Sequence, residues 1–182
     1  MLQYALQEKL SVDFPSCDVV VHYRVGDFIK HGLLIHPQSV AEAVASLFPN
    51  KMLQIRVGIM DGGSLHLDGC AKERGTIEES GARIRLHLKT ELRKQLPNAI
   101  VADCGGASVD SDFFICAMAP SLVTAGGSFA VCAAVASIGR VLTPACKSLI
   151  ACQQDSIPPQ TIRDGWSTYK YKNFSSNTEI DR

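Results

Sequence analysis

The chain has 182 residues, and its 18 Lys and Arg are balanced by 18 Asp and Glu, so the formal net charge is zero. Hydrophobic residues make up 46% and charged residues 20% of the sequence, which is typical of a globular domain with a sizeable core. Zero net charge excludes a general positive field for nucleic acid or an anionic membrane, so an anionic ligand must be held by a few placed donors. No apolar run reaches the roughly 18 residues of a transmembrane helix.

The cysteines and histidines favour a chain without a metal site. The seven cysteines contain no Cys-x-x-Cys pair, and most of them, such as Cys116 and Cys132, lie in apolar runs. We therefore predict buried, reduced thiols rather than a zinc site or a disulfide framework. The histidines show no metal-ligand spacing, so no metal is predicted. The first ten residues lack the order of a signal peptide, which favours an intracellular chain, unless it is the luminal piece of a longer Golgi or ER enzyme.

Hydrophobic periodicity predicts strands that alternate with helices. Three consecutive valines, Val19 to Val21, indicate a first strand that is buried on both faces. In chain order the pattern predicts strands at 18–24, 52–60, 99–102, 121–124 and from 139, and helices at 38–48, 77–96, 111–118 and 126–137. Residues 26–37 and 65–75 are predicted to be loops.

This alternation predicts an α/β, Rossmann-like parallel sheet with helices on both faces. We expect a lead-in helix at 1–16, one domain at 17–150, and a tail at 151–182. The tail shows no sustained period, so it is expected to wrap the surface or to stay partly disordered. In such sheets ligands bind at the carboxyl ends of the strands, which directs attention to the polar residues that follow each strand.

Two of these strand ends could hold an anion. Arg24, just past the first strand, could present its planar fork of donors to phosphate oxygens, or it could pair with Asp27 to brace the loop. The spacing alone supports the phosphate-binding role and the loop-bracing role of Arg24 equally. The turn Gly126-Gly127-Ser128 opens a helix whose backbone N–H groups could bind an anion. Taken alone, this turn favours a tight connection in which Ser128 only caps the helix.

The remaining polar candidates each favour a structural role when taken alone. Asp61 ends the second strand and could accept a hydrogen bond from a ribose or a base, but Asp-Gly is also a common turn. Asp112 could also accept a hydrogen bond from a ribose or a base, but a carboxylate near the start of a helix also interacts favourably with the helix dipole. His22, within the first strand, is expected to be a hydrogen-bonded site residue.

Several of these residues together resemble a known family. The segment from His22 to Asp27 resembles the first peptide motif of fucosyltransferases of the α1,2, α1,6 and protein O-fucosyl groups, which reads His-x-Arg-Arg-x-Asp. The segment from Asp112 to Ser128-Phe129, an acidic residue followed by a short helix, a strand and a Ser-Phe turn, is similar to the third motif. The strand that ends at Asp61 is similar to the motif between them. The resemblance spans about residues 17–142.

The resemblance implies that residues 17–150 are the donor half of a metal-independent, inverting GT-B glycosyltransferase. It implies transfer of fucose from GDP-fucose to a glycan or protein acceptor, with no cofactor besides this donor. Arg24 would bind the diphosphate and stabilise the leaving GDP, and Asp112 would contact the guanine edge. The donor-binding candidates are Arg24, Asp61, Asp112, Gly127, Ser128 and Phe129, and the catalytic candidates are Arg24, His22 and Asp27.

The chain departs from the family pattern in three places. Val25 stands where the family has its second arginine, and Gly32 stands where the α1,6 group has a glutamate. The general base is therefore open among His22, Asp27, His31 and His36. These enzymes also carry a second domain before the first motif, so the chain is expected to be a fragment, an incomplete gene model or a single-domain relative. The alternatives are a non-catalytic nucleotide-binding module and an unrelated α/β domain.

Overall fold

The computed structural model describes residues 16–30, 32–61, 74–105, 108–145 and 165–174, and of residues 27, 30 and 74–77 it describes the backbone alone. The strands in this part of the chain are β1 (Val19–Tyr23), β2 (Arg56–Asp61), β3 (Ile100–Asp103), β4 (Ser121–Thr124), β5 (Arg140–Pro144) and β6 (Trp166–Tyr169). The helices are α1 (Gly26–Lys30), α2 (Pro37–Ser46), α3 (Arg74–Gln95), α4 (Val109–Met118) and α5 (Ser128–Ala136).

The six strands form one sheet in the order β3-β2-β1-β4-β5-β6, and every neighbouring pair is parallel. This confirms the predicted α/β, Rossmann-like fold. The chain first builds outward from β1 through β2 to β3, and β4 then returns to the other side of β1. Such a reversal of strand order opens a crevice at the carboxyl ends of the two central strands, where ligands of this fold bind.

Alternate residues of β1 face two separate hydrophobic cores, as the strand period of two requires. Val21 and Tyr23 belong to the core on the side of α1, α2 and α3, whereas Val20 belongs to the core formed with α4 and α5. All five residues of β1 are buried, as the run of valines predicts. The central position of β1, between β2 and β4, explains why it needs apolar side chains on both faces.

Two expectations for irregular segments are wrong. The segment predicted as a loop at 26–37 begins with the short helix α1. This helix has about one turn, which is too short to show a helical period in the sequence. The tail, which was expected to wrap the surface or to stay partly disordered, supplies β6, and Phe174 is buried in the core beside α2. The expected lead-in helix, apart from Ser16, and most of the expected loop at 65–75 lie outside the described residues. The last two residues of that loop, Arg74 and Gly75, are instead the start of α3.

The boundary of the second strand also differs from the prediction. The strand begins at Arg56 instead of residue 52, because residues 51–53 form a turn in which the backbone N–H of Met52 donates to Asn50 Oδ1 at 3.1 Å. Among the described residues, no helix combines the length and the apolar character needed to cross a bilayer.

Candidate site at the carboxyl ends of β1 and β4

His22 lies near the carboxyl end of β1, where the central position of the strand buries it to 2% exposure. Its ring stacks on Phe129 of α5, with the centroids 5.1 Å apart. Burial, and secondly the charge of Arg24, lowers the pKa of His22 to about 4, so the ring is neutral at pH 7. Its Nδ1 atom is buried and has no hydrogen-bond partner in the part of the chain that the structure describes. A buried polar atom in this state indicates a position that a ligand could satisfy.

Arg24 lies against the start of α5, about a hundred residues away in the chain. A Cβ on Gly127 would stand 2.8 Å from Arg24 Nη1 and 3.2 Å from its Cδ, so the side chain rests on the Gly127 backbone. The guanidinium also covers the Phe28 ring, with its Cζ 4.7 Å from the ring centroid. Phe28 was not predicted to be a site residue. Its position four residues after Arg24 would indicate this contact only if the segment were known to be helical.

The start of α5 carries no side-chain cap. Gly127 is the N-cap residue, with φ 94°, and within the described ranges no side chain accepts a hydrogen bond there. The interpretation that Ser128 caps this helix is therefore wrong, because Ser128 is already its first helical residue and is exposed. The first-turn N–H groups and the neighbouring Arg24 guanidinium together form an arrangement suited to phosphate oxygens. Phe129 is held from the other side by Phe113, at 6.0 Å and nearly perpendicular.

Asp61 lies at the end of β2 and forms an ion pair with Arg85 of α3. It is paired in register with Tyr23, on the side of the sheet opposite to His22 and Phe129. Burial raises the pKa of Asp61, and the Arg85 charge opposes this shift. Its Oδ1 atom is buried and has no hydrogen-bond partner among the described residues. Arg85 was missed by sequence reasoning, because its position on a charged helix does not distinguish it from the arginines and lysines that face solvent.

Asp112 lies in α4, whose N-cap Ser108 and third residue Ser111 form a reciprocal capping box. Asp112 is half-buried, and its charge contributes to the raised pKa values of the Cys104 and Cys116 thiols. It therefore lies beside these cysteines, and its place near the helix start also suits the helix dipole. Its contact with a guanine edge stays a prediction.

The other candidates for the general base are Asp27, His31 and His36. The backbone of Asp27 lies in α1, while its side chain and all of His31 lie outside the described part of the chain. His36 has a structural role, because its Nδ1 accepts a hydrogen bond from the Gln38 backbone at 3.1 Å and caps α2. Within the described ranges, no three His, Cys, Asp or Glu side chains converge as metal ligands.

The site thus brings together five of the predicted residues and places Asp61 apart from them. His22, Arg24, Gly127, Ser128 and Phe129 meet where β1 and β4 end, while Asp61 lies beneath α3. Asp112 lies in α4, next to Phe113, whose ring contacts Phe129. Comparisons of the chain with protein-family models, with curated proteins and with solved structures found no match.

Proposed function

We propose that the chain binds the diphosphate of GDP-fucose at the carboxyl ends of β1 and β4 and is a fucosyltransferase-like donor domain. The observation that carries this proposal is the contact of Arg24 with Gly127, at the start of a helix without a side-chain cap. In a chain of zero net charge, such a cluster of placed donors is what an anionic ligand requires. The resemblance to the fucosyltransferase motifs supports the choice of GDP-fucose.

In this proposal the phosphates lie against the first turn of α5, where backbone N–H groups and the Ser128 hydroxyl donate to them. Arg24 supplies the positive charge, and its guanidinium is held in place by Phe28 below and Gly127 beside it. The Nδ1 atom of His22, which the protein leaves unpartnered, completes its hydrogen bonding with the ligand. The preformed position of these groups lowers the ordering cost of binding.

For transfer, an acceptor hydroxyl attacks the anomeric carbon of fucose, and the bond to the GDP oxygen breaks with inversion. Negative charge develops on the leaving diphosphate, which Arg24 stabilises in place. A pKa of about 4 makes His22 a weak base, so its proposed role is in binding. Asp27 and His31 remain the candidates that accept the proton of the acceptor hydroxyl.

A second candidate function, a nucleotide-binding module without transfer activity, is favoured by Val25. This residue occupies the position of the family's second arginine, but it is fully buried and packs against α3, where a Cβ on Gly81 would be 3.6 Å from its Cγ1. The position belongs to the core, so among the described residues the site has one arginine where the family has two.

Calorimetric titration of the purified chain with GDP tests the binding proposal, with UDP and NAD as controls. We expect selective GDP binding, and a roughly tenfold to hundredfold loss of affinity in Arg24→Ala, as for one charge-assisted hydrogen bond of about 1.5–3 kcal/mol. Arg83→Ala is the matched control, since Arg83 is exposed on α3 and pairs with Glu79, one turn away on the same helix, at 3.1 Å. Equal GDP affinity in Arg24→Ala and the parent would show that the site is wrong.

Release of GDP from GDP-fucose separates the two candidate functions. A donor domain that catalyses transfer or hydrolysis is expected to release GDP from GDP-fucose. The Arg24→Ala variant should release GDP more slowly than the parent, even when GDP-fucose is saturating. A chain that binds GDP-fucose and leaves it intact, with and without glycan acceptors, is the non-catalytic module.

A further inference from the structure

Two cysteines from distant parts of the chain meet above Gly58 of β2. A Cβ on Gly58 would stand 2.8 Å from the Sγ of Cys17 and 2.7 Å from the Sγ of Cys104. Cys17 precedes β1 and Cys104 follows β3, so β2 lies between the strands that carry them. Both sulfur atoms therefore share the space that the missing side chain of Gly58 leaves open. Both cysteines are free thiols in the structure.

The two thiols have different surroundings. Cys17 is half-buried, and the hydrogen bond from the Cys104 thiol lowers its pKa, with a smaller lowering by Arg56 and opposition from burial and Asp18. Cys104 is buried, and its partnership with Cys17, its burial and the nearby Asp112 carboxylate all raise its pKa. One member is thus suited to react as a thiolate with a molecule from solvent, and the other remains a protonated thiol beside it.

The neighbouring sulfur atoms do not share this arrangement. The Cys116 thiol is fully buried and donates to Met60 Sδ at 3.4 Å, and burial raises its pKa to about 12. Cys132 is exposed on α5. The predicted burial of Cys132 is therefore wrong, because its position in the helix faces solvent. Cys132 provides an exposed reference thiol within the same chain.

We infer that Cys17 and Cys104 form a dithiol that reacts with hydroperoxides and closes to a disulfide above Gly58. The Cys17 thiolate attacks the peroxide, the O–O bond breaks, and hydroxide or an alkoxide leaves, so that Cys17 becomes a sulfenic acid. The Cys104 sulfur then attacks the Cys17 sulfur, the S–O bond breaks, and water leaves with the Cys104 proton. The two electrons of the dithiol are thereby transferred to the hydroperoxide. This inference does not depend on the proposed sugar-nucleotide site.

Peptide mapping tests the linkage directly. The reduced full chain is treated with one equivalent of hydrogen peroxide, blocked with iodoacetamide, and digested with trypsin and an Asp-specific protease. This digestion places Cys17 in the peptide 13–17 and Cys104 in the peptide 103–109, each without another cysteine. We expect these two peptides to be joined by a disulfide that dithiothreitol reverses. Linkage of Cys17 to any other cysteine, or a Cys17 that stays reduced, would overturn the proposal.

Two variants separate the steps. In Cys104→Ser, the sulfenic acid on Cys17 persists and is trapped by a 1,3-cyclohexanedione, whereas the parent gives the disulfide. At limiting peroxide, Cys17 is expected to oxidise roughly tenfold faster than Cys132, because the Cys104 thiol donates a hydrogen bond to Cys17 and favours its thiolate. Cys132→Ser should leave both the rate and the linkage unchanged. Equal oxidation of Cys17 and Cys132 would contradict the assignment of Cys17 as the reactive thiol.

Discussion

His22 shows at the scale of one residue how burial sets chemistry. Its ring is held neutral by removal from water and by the Arg24 charge, and its pKa in the fold is about 4 against an ordinary value of 6.5. Below pH 6.5 the unfolded chain binds a proton at this position, whereas the folded chain does not until about pH 4. The stability that neutral His22 contributes is therefore present above pH 6.5 and is lost as the pH falls toward 4.

From this linkage we expect the His22 contribution to the free energy of unfolding to be roughly 2 kcal/mol lower at pH 5 than at pH 7. Denaturant unfolding at both pH values measures it. His22→Gln should remove that part of the pH dependence, while His87→Gln, a half-exposed histidine beside Glu91, should retain it. An equal pH dependence in His22→Gln and the parent would disprove the assigned shift.

Two separate features require glycine at position 127: its backbone conformation and the contact with Arg24. Its φ of 94° and ψ of 153° lie in a region that side chains disfavour, and Arg24 occupies the space of a Cβ. Gly127→Ala should lower the free energy of unfolding by about 1–3 kcal/mol and also weaken GDP binding, because Arg24 must move. Gly32→Ala is the matched control, since Gly32 has φ 63° with nothing within 4 Å. Unfolding curves and GDP titration of both variants test this, and unaltered GDP affinity in Gly127→Ala would contradict the proposed position of the phosphates.

At the scale of elements, the carboxyl-terminal segment completes the structure around the site. The Tyr169 hydroxyl donates to the Thr124 carbonyl at 2.8 Å, at the end of β4. Farther along, the Phe174 backbone donates to Leu34, and His36 donates to Lys172, so this segment holds the connection between α1 and α2. The segment was difficult to predict because β6 has four residues, pairs on one side only, and has two exposed positions.

We expect Phe174→Ala to lower the free energy of unfolding by about 3–5 kcal/mol, because a core ring is replaced by a cavity. Asn173→Ala, at the exposed neighbouring position, should change it by no more than about 0.5 kcal/mol. Denaturant unfolding of the two variants measures the difference. If both variants matched the parent, residues 165–174 would not be an integral part of the fold.

At the scale of the whole molecule, the order of the strands determines which residues form the site. Arg24 and Gly127 meet because β4 returns to the side of β1 that β2 leaves open. The same order places Asp61 against Arg85 on the other face, where it is separated from the His22 and Phe129 rings. A strand-end rule alone predicts that all of these residues belong to one edge, but it does not predict the face on which each side chain lies.

Local periodicity and turn chemistry are enough to predict the alternation of strands and helices, the buried central strand and the polar residues that follow each strand. Four features depend on how the chain folds as a whole: Arg24 rests on Gly127, Asp61 pairs with Arg85, β6 joins the sheet, and Cys17 meets Cys104. Each of these contacts joins residues far apart in the chain. Their positions depend on strand order and on the face of the sheet, which no local pattern in the sequence specifies.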